Sequence, residues 1–296
     1  MEKKVNSTVT PKDDHLKLET FLKTSLHLTK REISRAKFRA NGICVNGKRQ
    51  KTDVRVKTGD LVEVLLETGD ETSKNLSSTA KSISVLYEDA DVIVMDKPSG
   101  ISVHPAGKND SDTLANRLAC YLRNKGEDSV IRILGRLDKD TSGVVLAVKN
   151  RAAATRLEGQ RKKHILFKIY LAIVEGRPDP PKGTIDIPLA PDPQNRKQMC
   201  INPEGRSAVT HYETLLSQDN RSLIRLCLET GRTHQIRVHM ASIGCPLIGD
   251  PLYGNAETAA ITPMALHAQA IHFLHPFTGK EIQVTTPAPF LSFPIE

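Results

Sequence analysis

Two short segments hold the side chains whose types and spacing could do chemistry. In LGRLDKDTSGVVLAVK (134–149), a polar turn carrying Arg136, Asp138, Asp140, Thr141 and Ser142 runs through Gly143 into an apolar strand, Val144 to Val148. A carboxylate on a turn beside a strand can serve as nucleophile or general base when a cation keeps it ionised. Aspartate also closes turns, and spacing alone favours that plainer role for Asp138 or Asp140. In ETGRTHQIRVHM (229–240), Arg232, His234, Gln235, Arg237 and His239 follow a predicted strand. At a helix start, backbone N–H groups and guanidiniums would converge there on a phosphate or carboxylate. The plainer alternative is a surface helix with solvated arginines. Tyr170 alternates with apolar neighbours in Lys168-Ile169-Tyr170 and by itself reads as a core tyrosine.

Other chemistries lack support. The chain has no G-x-G-x-x-G, G-x-x-x-x-G-K-[ST], H-E-x-x-H or G-x-S-x-G segment. His234 and His239 stand five apart, as do His267 and His272, with His275 three further on. Metal-binding helical pairs prefer spacings of three or four, so these histidines are expected to pack or hydrogen-bond, and no metal or cofactor is expected. The five cysteines are scattered and form no C-x-x-C pair, which fits buried thiols in a reducing compartment better than disulfides or zinc. The N-terminal MEKKVNSTVTPKDD has no apolar stretch of a signal peptide, and no apolar run is long enough to cross a bilayer, so a cytoplasmic location is expected.

The elements that must position these residues are legible in outline. Leu18, Phe21 and Leu22 have the spacing of a short amphipathic helix. Thr29-Lys30-Arg31-Glu32 is a capping box opening a second helix that runs toward Asn41-Gly42. On that helix Arg31, Arg35 and Arg39 would form one stripe. Ile43-Cys44-Val45, an Asn46-Gly47 turn and the alternation around Leu61–Val64 follow as strands, giving an αα-β-β unit over 16–67 after a flexible stretch at 1–15. Residues 68–82 are polar and rich in Ser and Thr, as in a linker. From 83 to 296 the pattern is mixed: strands around 85–95, 165–174, 207–216 and 222–229, helices over 112–124 and 151–163, and a helix from Thr233 to Ile243 closed by Gly244.

Charge is local. The chain is 296 residues long with a formal charge of +8, yet residues 16–50 alone carry nine Lys/Arg against Glu19 and Glu32, a net +7. A charge run alone reads best as a solvated helix face; as a local basic patch it is also the footprint of a polyanion partner, and less readily of a membrane. Trp is absent and aromatics are 4% of residues, which leaves little for an extended base-stacking platform.

The chain resembles the RluA-type pseudouridine synthases, through VLYEDADVIVMDKPSGISVHP (85–105), GRLDKDTSG (135–143), FKIYLAIVEG (167–176), TGRTHQIRVHMASIGCPLIGDPLYG (230–254) and LHAQAIHFLHP (266–276). The basic unit is more loosely similar to the RNA-binding domain named after ribosomal protein S-four. The resemblance implies an α+β fold with a mixed, largely antiparallel central sheet flanked by helices. It also implies isomerisation of uridine in RNA without cofactor or metal. It assigns catalysis to Asp138, Tyr170 and Arg237, with Arg232 the second choice as the aspartate's partner. Arg136, Arg232, His234, Gln235 and Lys168 become expected substrate contacts, and Lys30, Arg31, Arg35, Arg39, Lys48 and Arg49 expected RNA contacts. Many relatives have His at the position of Gly135, which bears on subfamily rather than chemistry. A monomer acting on large-subunit ribosomal RNA is expected. The alternatives are a transfer RNA target, a non-catalytic ribosome-assembly factor that retains the fold, and a metal-dependent nuclease, for which clustered ligands are missing.

Overall fold

The computed structural model describes residues 2–26, 28–67, 79, 81–105, 111–127, 131–195 and 197–292. The first unit contains β1 (Glu2–Thr8), α1 (Leu18–Thr24), α2 (Lys30–Lys37), β2 (Ile43–Val45), β3 (Lys48–Arg49) and β4 (Leu61–Glu67), with the sheet ordered β1-β4-β2-β3. Leu18, Phe21 and Leu22 of α1 are fully buried in its core, as their spacing requires. The capping box forms: Thr29 accepts from the Glu32 N–H, and Glu32 accepts from the Thr29 N–H.

Two expectations for this unit are corrected. Residues 2–8 are not a flexible tail but a strand, paired with β4 from Glu2↔Glu67 to Thr8↔Leu61, and a 3-10 turn at Pro11–Asp13 follows. Its polar, charged composition hid it, and its partner strand lies far along the chain, where no local pattern reveals it. Helix α2 also ends at Lys37, so Arg39 sits in the turn beyond it. The chain must already have turned there, because a Cβ on Gly42 would lie 2.0 Å from the Ala36 carbonyl oxygen. The expected linker at 68–82 falls outside the described residues except for 79, 81 and 82.

The second unit runs through β5 (Ser84–Glu88), β6 (Val92–Lys97), α3 (Leu114–Asn124), β7 (Arg132–Leu134), β8 (Ser142–Val148), α4 (Arg151–Lys162) and β9 (Phe167–Glu175). It continues with β10 (Lys182–Asp186), β11 (Leu189–Pro191), β12 (Met199–Ile201), β13 (Val209–Gln218) and β14 (Arg221–Leu228). It ends with α5 (Gln235–Ser242), α6 (Ala256–Ile261), β15 (Leu266–Leu274) and β16 (Glu281–Thr285). The main sheet is ordered β10-β13-β14-β9-β15-β8-β6-β5, with β16 on β15 and β7 on β8. Among its described pairs only β15–β8 is parallel, so the α+β class with a mixed, largely antiparallel sheet holds.

This order gathers the chemistry at one place. Ala268 of β15 is level with Tyr170 on one side and Gly143 on the other, and Ile169 is level with Cys227 near the end of β14. The start of β8 thus lies level with the middle of β9, and the turn before β8, β9 and the loop from β14 into α5 line one cavity. Gly143 makes the packing possible: its φ is +109°, and a Cβ there would meet the Ala268 carbonyl oxygen at 2.2 Å.

Candidate active site

Asp138 stands on the turn between β7 and β8, whose apolar anchor Leu137 is buried in the core. The turn closes through its backbone, from the Thr141 N–H to the Asp138 carbonyl at 3.2 Å. Its side chain is thus spared the turn-closing role and is directed at the guanidinium of Arg237, with Nη1 3.9 Å from Oδ2. Asp138 keeps some exposure to the cavity while Arg237 is buried.

Arg237 does not float. It gives Nε and Nη2 to the two oxygens of Asp250 at 2.7 and 2.6 Å, a bidentate pair between two buried side chains. Asp250 Oδ1 also accepts from the N–H groups of Leu252 and Tyr253. The Tyr253 ring lies under the guanidinium, 5.1 Å from its centre. Nη1 is the end left for Asp138. The buried carboxylate and the stacked ring fix the plane of the guanidinium, so its position costs no reorganisation when charge develops beside it.

Tyr170 projects from β9 into the same cavity. Burial, with Asp138 nearby, pushes its phenol well above the ordinary tyrosine value, so it stays protonated. Lys168, two residues earlier and so on the same strand face, donates to the Val144 carbonyl at 2.9 Å. Burial lowers its ammonium to about 8. His234 has a left-handed backbone, φ 54°, at the start of α5. The Tyr253 hydroxyl accepts from the Met199 N–H and hydrogen-bonds His234 Nδ1 at 2.9 Å. Burial lowers the His234 pKa, so the ring is neutral at pH 7.

The cavity has a volume of about 480 Å³, and Arg136, Asp138, Lys168, Tyr170, Arg232 and His234 contribute to its walls. That is ample for a nucleoside. Of the two arginines weighed for Asp138, the structure brings Arg237 to it; Arg232 turns away and donates from Nε to the Ser207 carbonyl. Gln235 has its amide committed inside the fold, accepting from Thr230 and the Arg232 N–H and donating to Val209 and Thr210. It therefore braces the loop that forms this part of the cavity wall. None of the six basic residues of the first unit lines this cavity.

Sequence reasoning missed three supports. Asp250 and Tyr253 were hidden in CPLIGDPLYG, where the available signal was one carboxylate in an otherwise apolar stretch. The third is Lys97, wholly buried, whose ammonium donates to the carbonyls of Pro98, Ile101 and Lys139. It ties the loop after β6 to the turn that carries Asp138. Of the other histidines weighed in the sequence, His239 hydrogen-bonds Thr210 and Ile187, His267 hydrogen-bonds Ser142 and Thr286, and His272 stacks against Phe167. Among the described residues Asp89, Asp91 and His275 cluster within 4.8 Å. The His275 Nδ1 accepts from the N–H groups of Phe277 and Thr278, and its Nε2 faces Asp89 at 3.1 Å.

Comparison with known proteins identifies the family. The family model described as RNA pseudouridylate synthase matches residues 91–242. The chain belongs to this family. An RNA pseudouridine synthase of Bacillus subtilis named YlyB is 38% identical over 83% of this chain and 82% of its own length. The ribosomal large subunit pseudouridine synthase D of Zymomonas mobilis is 41% identical over 70% of this chain and 69% of its own. Among solved structures, human RNA pseudouridylate synthase domain containing 1 aligns with a TM-score of 0.59 at 26% identity, covering 72% of this chain and 86% of that one. As an RluA-family pseudouridine synthase the protein is an isomerase that acts on uridines in RNA.

Proposed function

We propose that this pseudouridine synthase modifies large-subunit ribosomal RNA and that Asp138 starts the reaction. The observation that carries the reading is the Asp138–Arg237 approach of 3.9 Å at a nucleoside-sized cavity. The RNA target is supported by relatives named as large-subunit enzymes. A uridine within folded RNA must leave its stack to enter such a cavity. There the Asp138 carboxylate, beside a fixed guanidinium, attacks the sugar at C1′ or takes a proton from the sugar. Both routes break the N1–C1′ bond and start from the ionised carboxylate. The freed uracil turns and bonds to C1′ through C5, loses the proton from C5 and gains one on N1. Tyr170 packs against the base as a neutral phenol, a role that needs no ionisation. Arg136 and Lys168 offer cations to the phosphates flanking the extruded nucleotide.

Carbodiimide labelling with primer extension, on unmodified ribosomal and transfer RNA transcripts incubated with the full chain, tests this. A single new stop in large-subunit RNA is expected from the wild type and none from Asp138→Asn. Modification confined to transfer RNA would overturn the target, and modification by Asp138→Asn would overturn the residue.

A further inference from the structure

The hairpin of β11 and β12 is a two-stranded sheet of its own, apart from the ten-stranded one. It rests on both segments that hold the cation beside Asp138. On α5, Val238 packs with Leu189 and Ala208 in a small separate cluster, against which Met199 and Tyr253 also pack. Val238 follows Arg237 in the chain, while Ile236, which precedes it, belongs to the main core. On the loop after α5, Gln198 Nε2 donates to the Leu252 carbonyl at 3.2 Å, and the Met199 N–H donates to the Tyr253 hydroxyl at 2.7 Å. Leu252 and Tyr253 are the residues whose own N–H groups hold Asp250 Oδ1. The hairpin thus touches α5 beside Arg237 and the loop beside Asp250.

Tyr253 is where these contacts meet. Its hydroxyl joins the Met199 N–H to His234 Nδ1, and its ring meets the His234 ring edge-on at 5.6 Å. The same ring faces the Arg237 guanidinium. His234 occupies the N-cap of α5 with a left-handed backbone, yet its side chain makes no capping hydrogen bond. That conformation is unfavourable for a residue with a Cβ and persists only where surrounding contacts over-determine it. Tyr253 supplies such contacts. Phenylalanine would keep the packing of the ring; the hydroxyl adds direction, because a hydrogen bond constrains angle as well as distance.

We propose that Tyr253 is a positioning residue for the isomerisation, whose hydroxyl carries the hold of the β11–β12 hairpin to His234 and Arg237. Without that hydroxyl the hairpin still packs on α5, but the His234 ring and the guanidinium plane lose their fixed reference. Tyr253 is not part of the cavity wall, so its effect falls on the rate after RNA has bound rather than on binding. The inference rests on the reading that Asp138 reacts beside Arg237.

Single-turnover rate and RNA affinity, measured together on the full chain with a transcript that the wild type modifies, test this. Tyr253→Phe is expected to slow the rate at saturating RNA about tenfold or more, the scale on which small misplacements act, with RNA affinity unchanged. A second variant replaces residues 191–199 with Asn-Gly, joining the paired Ala190 and Cys200 through a two-residue turn. It should lose rate by a similar factor. Combining it with Tyr253→Phe should cost no more than either change alone, because both break one connection. Full rate in Tyr253→Phe would overturn the proposal. Losses that multiply in the double variant would also overturn it, since the hairpin would then act by another route. A Tyr253→Phe defect confined to RNA affinity or to the thermal midpoint, with the saturated rate intact, would assign the hydroxyl to binding or stability and so contradict it. Asp138→Asn, run alongside, separates the two readings. Activity in Asp138→Asn overturns the catalytic assignment, whereas an inactive Asp138→Asn beside an unaffected Tyr253→Phe overturns this inference alone.

Discussion

Arg237 gives two of its nitrogens to Asp250 and keeps the third for Asp138, 3.9 Å away. A buried carboxylate with no contact to the reacting carboxylate therefore sets the position of its cation. Asp250→Ala leaves a buried guanidinium without its partner and should cost about 3–5 kcal/mol of stability, read from denaturant unfolding. Arg237→Lys cannot hold Asp250 bidentately and face Asp138 at the same time. Its single-turnover rate should fall by about 100-fold or more, the scale of losing one preorganised electrostatic group, with the fold retained by circular dichroism.

Tyr170 should work without ionising. Its raised pKa keeps the phenol neutral over the working range, so Tyr170→Phe preserves the protonation state and the ring that meets the base. Rates for Tyr170→Phe are expected within about tenfold of wild type, and Tyr170→Ala should lose far more with the ring gone. A pH–rate comparison checks the point: wild type and Tyr170→Phe should share the same profile.

Lys168 supplies the pH dependence. Its folded pKa is lowered from 10.5 to about 8 by burial. The ammonium's attraction for RNA phosphate is thus present below about pH 8 and lost as pH rises through that value. RNA affinity should weaken over that window in wild type and not in Lys168→Met. The linkage to stability has the opposite sense: between about 8 and 10.5 the unfolded chain binds the proton more tightly, so this residue's contribution to folding stability rises with pH.

Phe38 stands exposed between Lys37 and Arg39 and offers a stacking surface for a base. Phe38→Ala should reduce RNA affinity by roughly fivefold or more, the low end of a base–aromatic stack, with the salt slope unchanged because no charge is removed. Fluorescence anisotropy at several salt concentrations reads both quantities.

Legibility in the sequence followed the range of the interactions. The capping box at Thr29–Glu32, the alternation of β9 and the Gly-closed α5 are local patterns, and they stand where the spacing put them. The charged β1 strand was invisible because its pairing with β4 is non-local. In the site, the types in GRLDKDTSG and TGRTHQIRVH left open which aspartate and which arginine meet. The meeting of Asp138 with Arg237 depends on the crossover that sets β15 between β8 and β9. Asp250 was missed for the same reason, since its importance lies in a partner on α5 that the surrounding apolar stretch does not announce. Gln235 shows the converse: a polar side chain in a chemical-looking segment whose partners are all within the fold.

Asp138, and not its neighbour Asp140, is the carboxylate proposed to carry the chemistry. The direct measurement is single-turnover release of tritium from RNA labelled at C5 of uridine, because isomerisation must break that C–H bond. Asp138→Asn should release none above background, whereas Asp140→Asn should release tritium at a rate within about tenfold of wild type, as expected of a residue outside the reacting set. Tritium release by Asp138→Asn, or its loss in Asp140→Asn with Asp138 intact, would contradict the account.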